Sequence, residues 1–244
     1  MKKVLLLAAA ALCIGLTSSC SKDNKNDKDE DKAEIVDLGG GIYTINGYRF
    51  VDLGLPSGLL WAESNVGASS DTEAGTKVAW GETQTKEKYD ASTYKYGTGA
   101  DNYTKYCEAD GKKVLDAEDD LATVVLGAPC RMPLASEFVE LVKGGYTTCE
   151  WTSKTAADGT VVNGYEVKSN ANGNTVFFPG VRYVSSGNDQ AEYWCADLYE
   201  SEYYAFDYEL ATHRLFNEAA GPNGGGGVDR YCSSEIRPVA TISK

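Results

Sequence analysis

The chain has 244 residues, with 36 acidic against 23 basic side chains and a formal net charge of −13. That balance disfavours nucleic acid as a partner, because phosphate binding needs a basic footprint that displaces counterions, and it equally disfavours direct adhesion to anionic lipid. The single histidine, His213, leaves little material for a zinc centre or a Ser-His-Asp triad.

Lys2 and Lys3 precede an uncharged apolar run from Val4 to Leu16, followed by Thr17, Ser18, Ser19 and Cys20. The run is about 13 residues, short of the roughly 20 that span a hydrocarbon core, and it ends in small residues where a peptidase can cut. Residues 1–19 therefore read as a signal peptide. Cleavage ahead of a cysteine resembles the lipobox of bacterial lipoproteins, which makes Cys20 the lipidation site and limits membrane contact to the lipid anchor. Thr17 stands where a lipobox usually has a large apolar residue, with Leu16 one place back, which leaves Cys13 or an ordinary cleavage open. The following stretch, SKDNKNDKDEDKAE, has no apolar side chain but Ala33, so residues 20–34 read as an acylated cysteine and a disordered acidic tether. It lacks the glycine and the terminal glutamate that a calcium loop requires. An acidic tail in this position resembles the surface-export signals of Bacteroidetes lipoproteins, which implies an outer-membrane anchor with the domain facing the environment.

Residues 35–244 read as one domain. Ile42 to Leu53 predicts a hairpin around Asn46-Gly47, a dipeptide that tolerates the positive φ of a tight turn. Leu55 to Ala68 reads as a buried strand between turns, and Thr83 to Lys113, rich in Tyr, Lys and Gly without periodicity, as loop. Asp116 is placed to cap a short helix running through Ala122, with Glu118 and Asp119 in the first turn where the helix dipole favours negative charge. After Pro133, the spacing of Leu134, Phe138, Leu141 and Val142 predicts a helix ended by Gly144-Gly145. Strands are expected at Gly164 to Lys168, Thr175 to Pro179, Glu192 to Leu198, Tyr203 to Glu209 and Ser234 to Val239, with a glycine-bearing loop at Gly221 to Gly227. Few helices, many short strands and long loops make an α+β domain.

Five cysteines follow the leader, Cys107, Cys130, Cys149, Cys195 and Cys232, without Cys-x-x-Cys spacing. In an exported chain they suggest one or two disulfides. Cys195 with Cys232 is the first choice, and Cys107 with Cys149 or Cys130 the second.

Several stretches share an ordered pattern: FVDLGLPSGLLWAESNVGA from Phe50, VAWGET from Val78, DDLA from Asp119, CRMPLASEF from Cys130, NGYEV from Asn163, VFFPG from Val176, EYW from Glu192 and IRPV from Ile236. Together they resemble the Fibrobacter succinogenes major paralogous domain proteins, surface lipoproteins of Bacteroides and its relatives. The resemblance implies a C-type-lectin-like fold, similar to that of the formylglycine-generating enzyme, with two short helices, small twisted antiparallel sheets and long irregular loops. Ser64, Cys130 and Cys195 depart from residues common in relatives, so no bridge is carried over.

Such a fold hosts receptors, adhesins and enzymes alike, so function must come from a site. Calcium-dependent sugar binding would need acid and amide ligands that Gly221-Pro222-Asn223 and Trp194-Cys195-Ala196-Asp197 only partly supply. Neither a metal nor another cofactor is implied. The aromatic and acidic cluster of Trp194, Asp197, Tyr199, Tyr203 and Tyr204, near Asp207, Tyr208 and Glu209, is the candidate ligand surface, although strand alternation sends part of it inward. No catalytic residues emerge. The expected role is non-catalytic binding of an extracellular glycan or protein, with a structural or fimbrial-tip adhesin subunit as the alternative and a formylglycine-generating-type enzyme further off.

Overall fold

The computed structural model describes residues 33–98, 102–183, 188–198, 204–211 and 226–242. These belong to a compact unit, Ala33–Lys244. In chain order the strands begin with β1 (Ile35–Gly39), β2 (Ile42–Ile45), β3 (Tyr48–Asp52), β4 (Leu60–Ala62) and β5 (Val78–Ala79). Helix α1 (Leu121–Leu126), strand β6 (Cys130–Arg131) and helix α2 (Ala135–Lys143) follow. Next come β7 (Thr147–Thr155), β8 (Val161–Ser169), β9 (Thr175–Pro179), β10 (Val181–Tyr183) and β11 (Asn188–Leu198). The series closes with β12 (Tyr204–Ala211), β13 (Gly226–Asp229), β14 (Ser233–Ser234) and β15 (Val239–Ala240). This is a mixed, strand-rich α+β architecture.

The central sheet has the order β1-β2-β3-β4-β15-β6, so a strand near the C-terminus lies between two from the N-terminal half. Its hairpin forms as the sequence predicts: Asn46 and Gly47 have φ of 50° and 84°, the left-handed conformation a two-residue hairpin turn demands. Smaller antiparallel sheets are β7-β8-β9, β10-β11-β12-β13 and β5-β14.

Inward of its β1 edge, the central sheet is covered on both faces. Ile45, Phe50, Leu60, Ala62, Cys130 and Ala240 point into one cluster, with Trp80, Tyr94, Tyr96, Tyr106 and Trp194. Val51, Trp61 and Val239 point into the other, against Ala135, Phe138 and Leu141 of α2 and Tyr165, Val167 and Phe178 of β8 and β9. Trp61 sits at its centre, edge-on to Phe138 at 4.9 Å and to Phe178 at 6.0 Å. Strand β11 is shared: Trp194 and Ala196 enter the first cluster, while Ala191, Tyr193 and Cys195 enter the second. Period-two alternation on a strand buried from both sides produces this division.

Several expectations need correction. The α1 helix starts at Leu121 under Asp120, whose carboxylate accepts from Thr123 N–H at 3.0 Å. Asp116 is not its cap; its carbonyl accepts from Asp119 and Asp120 in a preceding turn, and its carboxylate is held by lysines. Glu118 and Asp119 therefore answer to nearby ammonium groups rather than to a helix dipole. The expected strand from Leu55 to Ala68 contracts to β4, because Pro56 and Gly58 form a turn before it. Ser234 to Val239 divides into β14 and β15 around Arg237.

Candidate functional site

Between β4 and α1 the chain makes a long excursion whose regular elements, among the described residues, are β5 and one 3-10 turn, Ala91–Thr93. Aromatic side chains and buried charge hold it in place. Arg230 is fully buried and threads beneath the excursion: Nη1 donates to the Tyr106 carbonyl at 3.1 Å, Nη2 to the Lys105 carbonyl at 2.9 Å and Nε to the Tyr94 hydroxyl at 3.1 Å. Its guanidinium lies 4.2 Å from the Tyr103 ring and 4.9 Å from that of Trp80, a stacked arrangement that a planar cation favours. Tyr94, Tyr96 and Tyr106 pack edge to face in series. Such an arrangement orders a loop surface without using regular secondary structure.

An ion-pair network lies on the same excursion. Carboxylate oxygens of Asp116, Glu118 and Asp119 lie within 4.8 Å of one another. Lys105 Nζ reaches all three, at 2.8 Å to Asp116, 3.4 Å to Glu118 and 2.5 Å to Asp119. Lys95 contacts Asp119 at 3.0 Å, Lys112 contacts Asp116 at 2.5 Å, and the Tyr106 hydroxyl donates to Asp119 at 2.7 Å. The central position among the carboxylates is thus filled by a tethered ammonium. Burial would raise the Asp119 carboxyl, but hydrogen bonds from Lys105, Tyr106 and Lys95 outweigh it and hold its pKa well below the carboxylate range. Burial likewise works against the Lys105 ammonium, and bonds to Asp116 and Asp119 outweigh that too, placing its pKa above the ordinary lysine value.

The linkage has a definite sign. A carboxyl depressed in the folded state stabilises fully above the unfolded value of about 3.9, and its contribution is lost as pH falls toward the folded value. A raised lysine stabilises fully below about 10.4 and loses its contribution as pH rises further. Asp120 and Asp197, whose carboxyls burial raises, act with the opposite sign and favour the folded state on protonation. The thermal midpoint should be flat through the neutral range and fall below about pH 4. Asp119→Asn should cost about 1.5–3 kcal/mol at neutral pH, the range for hydrogen bonds to charged groups, and flatten the acid decline. Thermal unfolding of both proteins across pH checks this, and an unchanged acid limb in the variant would assign the decline to other groups.

Two of the five residues expected to form a ligand surface, Trp194 and Asp197, have structural roles. Trp194 is fully buried, and its indole N–H donates to the Val78 carbonyl at 2.8 Å, so it belongs to the core. Asp197 is a structural cap: Oδ1 accepts from Ala135 N–H at 2.9 Å, satisfying an open donor at the start of α2. Tyr204 begins β12, while Tyr199, Tyr203 and Cys20 lie outside the described residues. Of the expected pair, Cys195 is in the cluster beneath α2 and Cys232 packs against the other one. No disulfide joins the five cysteines among the described residues. Burial pushes the Cys130 and Cys149 thiols up to about 11 and about 12, which removes their thiolate character.

The sequence reading overlooked Arg230 and Arg237. Arg237 is fully buried and bridges elements far apart in sequence: Nη1 donates to the Ala62 and Glu63 carbonyls at 3.0 and 2.6 Å, Nη2 to the Phe177 carbonyl at 2.8 Å and Nε to Asn65 Oδ1 at 2.7 Å. Burial lowers its pKa. Its place in the IRPV stretch was the available signal.

The geometry defines a strand-rich α+β domain with an ordered loop excursion. No family model matches the chain, and neither a curated protein nor a solved structure is significantly similar to it.

Proposed function

We propose that the chain is a surface lipoprotein, acylated at Cys20 in the outer membrane, whose domain has a C-type-lectin-like fold of the Fibrobacter major paralogous type and binds an extracellular glycan or protein without catalysis. The excursion between β4 and α1 carries this reading. It is long and irregular, yet fixed by Arg230, by packed tyrosines and by the Lys105 network, so a ligand would not have to order it. The central sheet is also consistent with that fold, since it joins N-terminal strands to β15 and leaves the excursion as a loop region bounded by β4 and α1. Trp194 and Asp197 are committed to the core and to α2, so the binding face is assigned to the excursion and its exposed polar rim, including Lys95 and Glu118.

The test is binding of the mature, detergent-solubilised protein to glycan and mucin arrays with and without EDTA. Signal insensitive to EDTA supports the loop surface, and signal abolished by EDTA replaces it with a cation-bridged site. Silence on every glycan transfers the reading to a protein ligand. Cys20→Ala should abolish incorporation of labelled fatty acid and release the protein from the membrane fraction.

A further inference from the structure

Strand β1 is the outermost strand of the central sheet, and all five of its residues are exposed. Ile35, Val36 and Leu38 expose 44, 43 and 50 % of their surface. Among the described residues nothing pairs with its outer edge. The Asn46 N–H bonds to the Glu34 carbonyl at 2.8 Å, which fixes the parity of the ladder. Val36, in phase with Glu34, turns its backbone groups toward β2, whereas Ile35 and Asp37 turn their N–H and C=O outward. Beyond them the Gly39 N–H is taken by the Asp37 carboxylate at 2.8 Å, and an irregularity between Asp37 and Gly39 ends the regular edge. Unpaired backbone groups beside apolar side chains suit another strand, since lipid cannot satisfy them.

We propose that this edge is occupied by β1 of a second copy of the chain, paired antiparallel about a two-fold axis through Val36. In that register Ile35 faces Asp37 of the other copy, and the outward groups of both copies form four N–H···O bonds. Val36 then lies opposite its own counterpart, with Leu38 on the same face. The register centred on Asp37 would set like charges directly opposite each other, which is destabilising. One short strand pair is a small contact, whereas stable interfaces bury roughly 1,000 Å² or more, so association is weak in free solution.

The occupant is argued from the chain that precedes the strand, and this step rests on the anchored reading above. Cys20 to Ala33 reaches at most roughly 45 Å when extended. The pairing would separate the two Ala33 residues by about 20 Å at strand rise. Two copies in one leaflet can therefore meet in this orientation, and sharing the leaflet raises their effective concentration. Because both copies are strongly acidic, salt screening should strengthen the pairing.

Single cysteines at Val36, Ile35 and Asp37 test the register in the full acylated chain on phosphatidylcholine vesicles, with disulfides located by peptide mapping to exclude links through native thiols. An unbonded antiparallel pair has Cα atoms about 4.5 Å apart, within disulfide range, so Val36→Cys should cross-link at least tenfold faster than the other two. Raising salt should increase the yield, and Val36→Lys should abolish the native dimer without moving the thermal midpoint. Faster linkage through Asp37→Cys, or no Val36–Val36 linkage above background, overturns the proposal. Intact mass reports acylation separately. If Cys20 carries no lipid, the same comparison at high protein concentration in solution still decides the pairing.

Discussion

Arg237→Met should lower unfolding free energy by about 3–5 kcal/mol, as expected when one side of a buried charged network is removed. Methionine fills much of the volume but donates nothing, so the carbonyls of Ala62, Glu63 and Phe177 and the Asn65 amide oxygen all lose their donor inside the protein. Each orphaned acceptor costs about 1–3 kcal/mol, which the removed desolvation cost of the guanidinium offsets in part. Domains of this kind have about 5–15 kcal/mol in total, so the variant should be marginal at physiological temperature. Arg237→Lys should not rescue it, because a single ammonium cannot present the planar fork that reaches β4 and β9 together. Urea unfolding followed by tryptophan fluorescence measures the loss. A change below about 1 kcal/mol would mean that burying the cation costs nearly as much as its bonds return.

Arg230→Met should separate local order from global stability. The lost bonds to the Lys105 and Tyr106 carbonyls, and the lost stacking on Tyr103, all fall on the loop excursion. Global stability should drop by about 2–4 kcal/mol, because three charged hydrogen bonds and the stacking on Tyr103 and Trp80 are lost while the desolvation cost of the guanidinium is recovered in part. Amide exchange around residues 102–110 should accelerate by far more than in α2, which holds none of these hydrogen-bond or stacking partners. Ligand binding should weaken beyond what the unfolded fraction explains, because the loop surface would then have to be ordered on association. Uniform acceleration across the domain would instead make Arg230 a general core residue.

Local features were the most legible in the sequence. Asn46-Gly47 closes its hairpin because the turn depends on two residues alone, and α2 follows from apolar spacing over two turns. Strand β9 coincides with its expected span, Thr175–Pro179. Strand β7 was missed because its covered face offers only Cys149 and Trp151 among threonines, serine and charges, a weak period-two signal. Strand β1 lacks any signal of that kind, since alternation marks a strand only when one face is buried. The aromatic cluster was partly legible for a related reason. Alternation along β11 sends Trp194 and Cys195 to opposite sides, as expected of a strand that turns part of its aromatics inward, but nothing local reveals that both sides are covered. Asp197 caps a helix far away in sequence, and the two buried arginines run against every hydropathy rule until their carbonyl partners are visible.

The position of β15 has a consequence for how the protein is made. Val239 pairs with Trp61 on one side and with Arg131 on the other, and it is fully buried. Neither hydrophobic cluster can close until almost the entire chain has been synthesised, because the strand that joins the two halves of the sheet comes near the end. Contacts so distant in sequence make folding slow and leave no stable half-built product. A nascent chain that stays open until its last strands emerge would suit the export proposed above, since threading through a pore requires an unfolded chain.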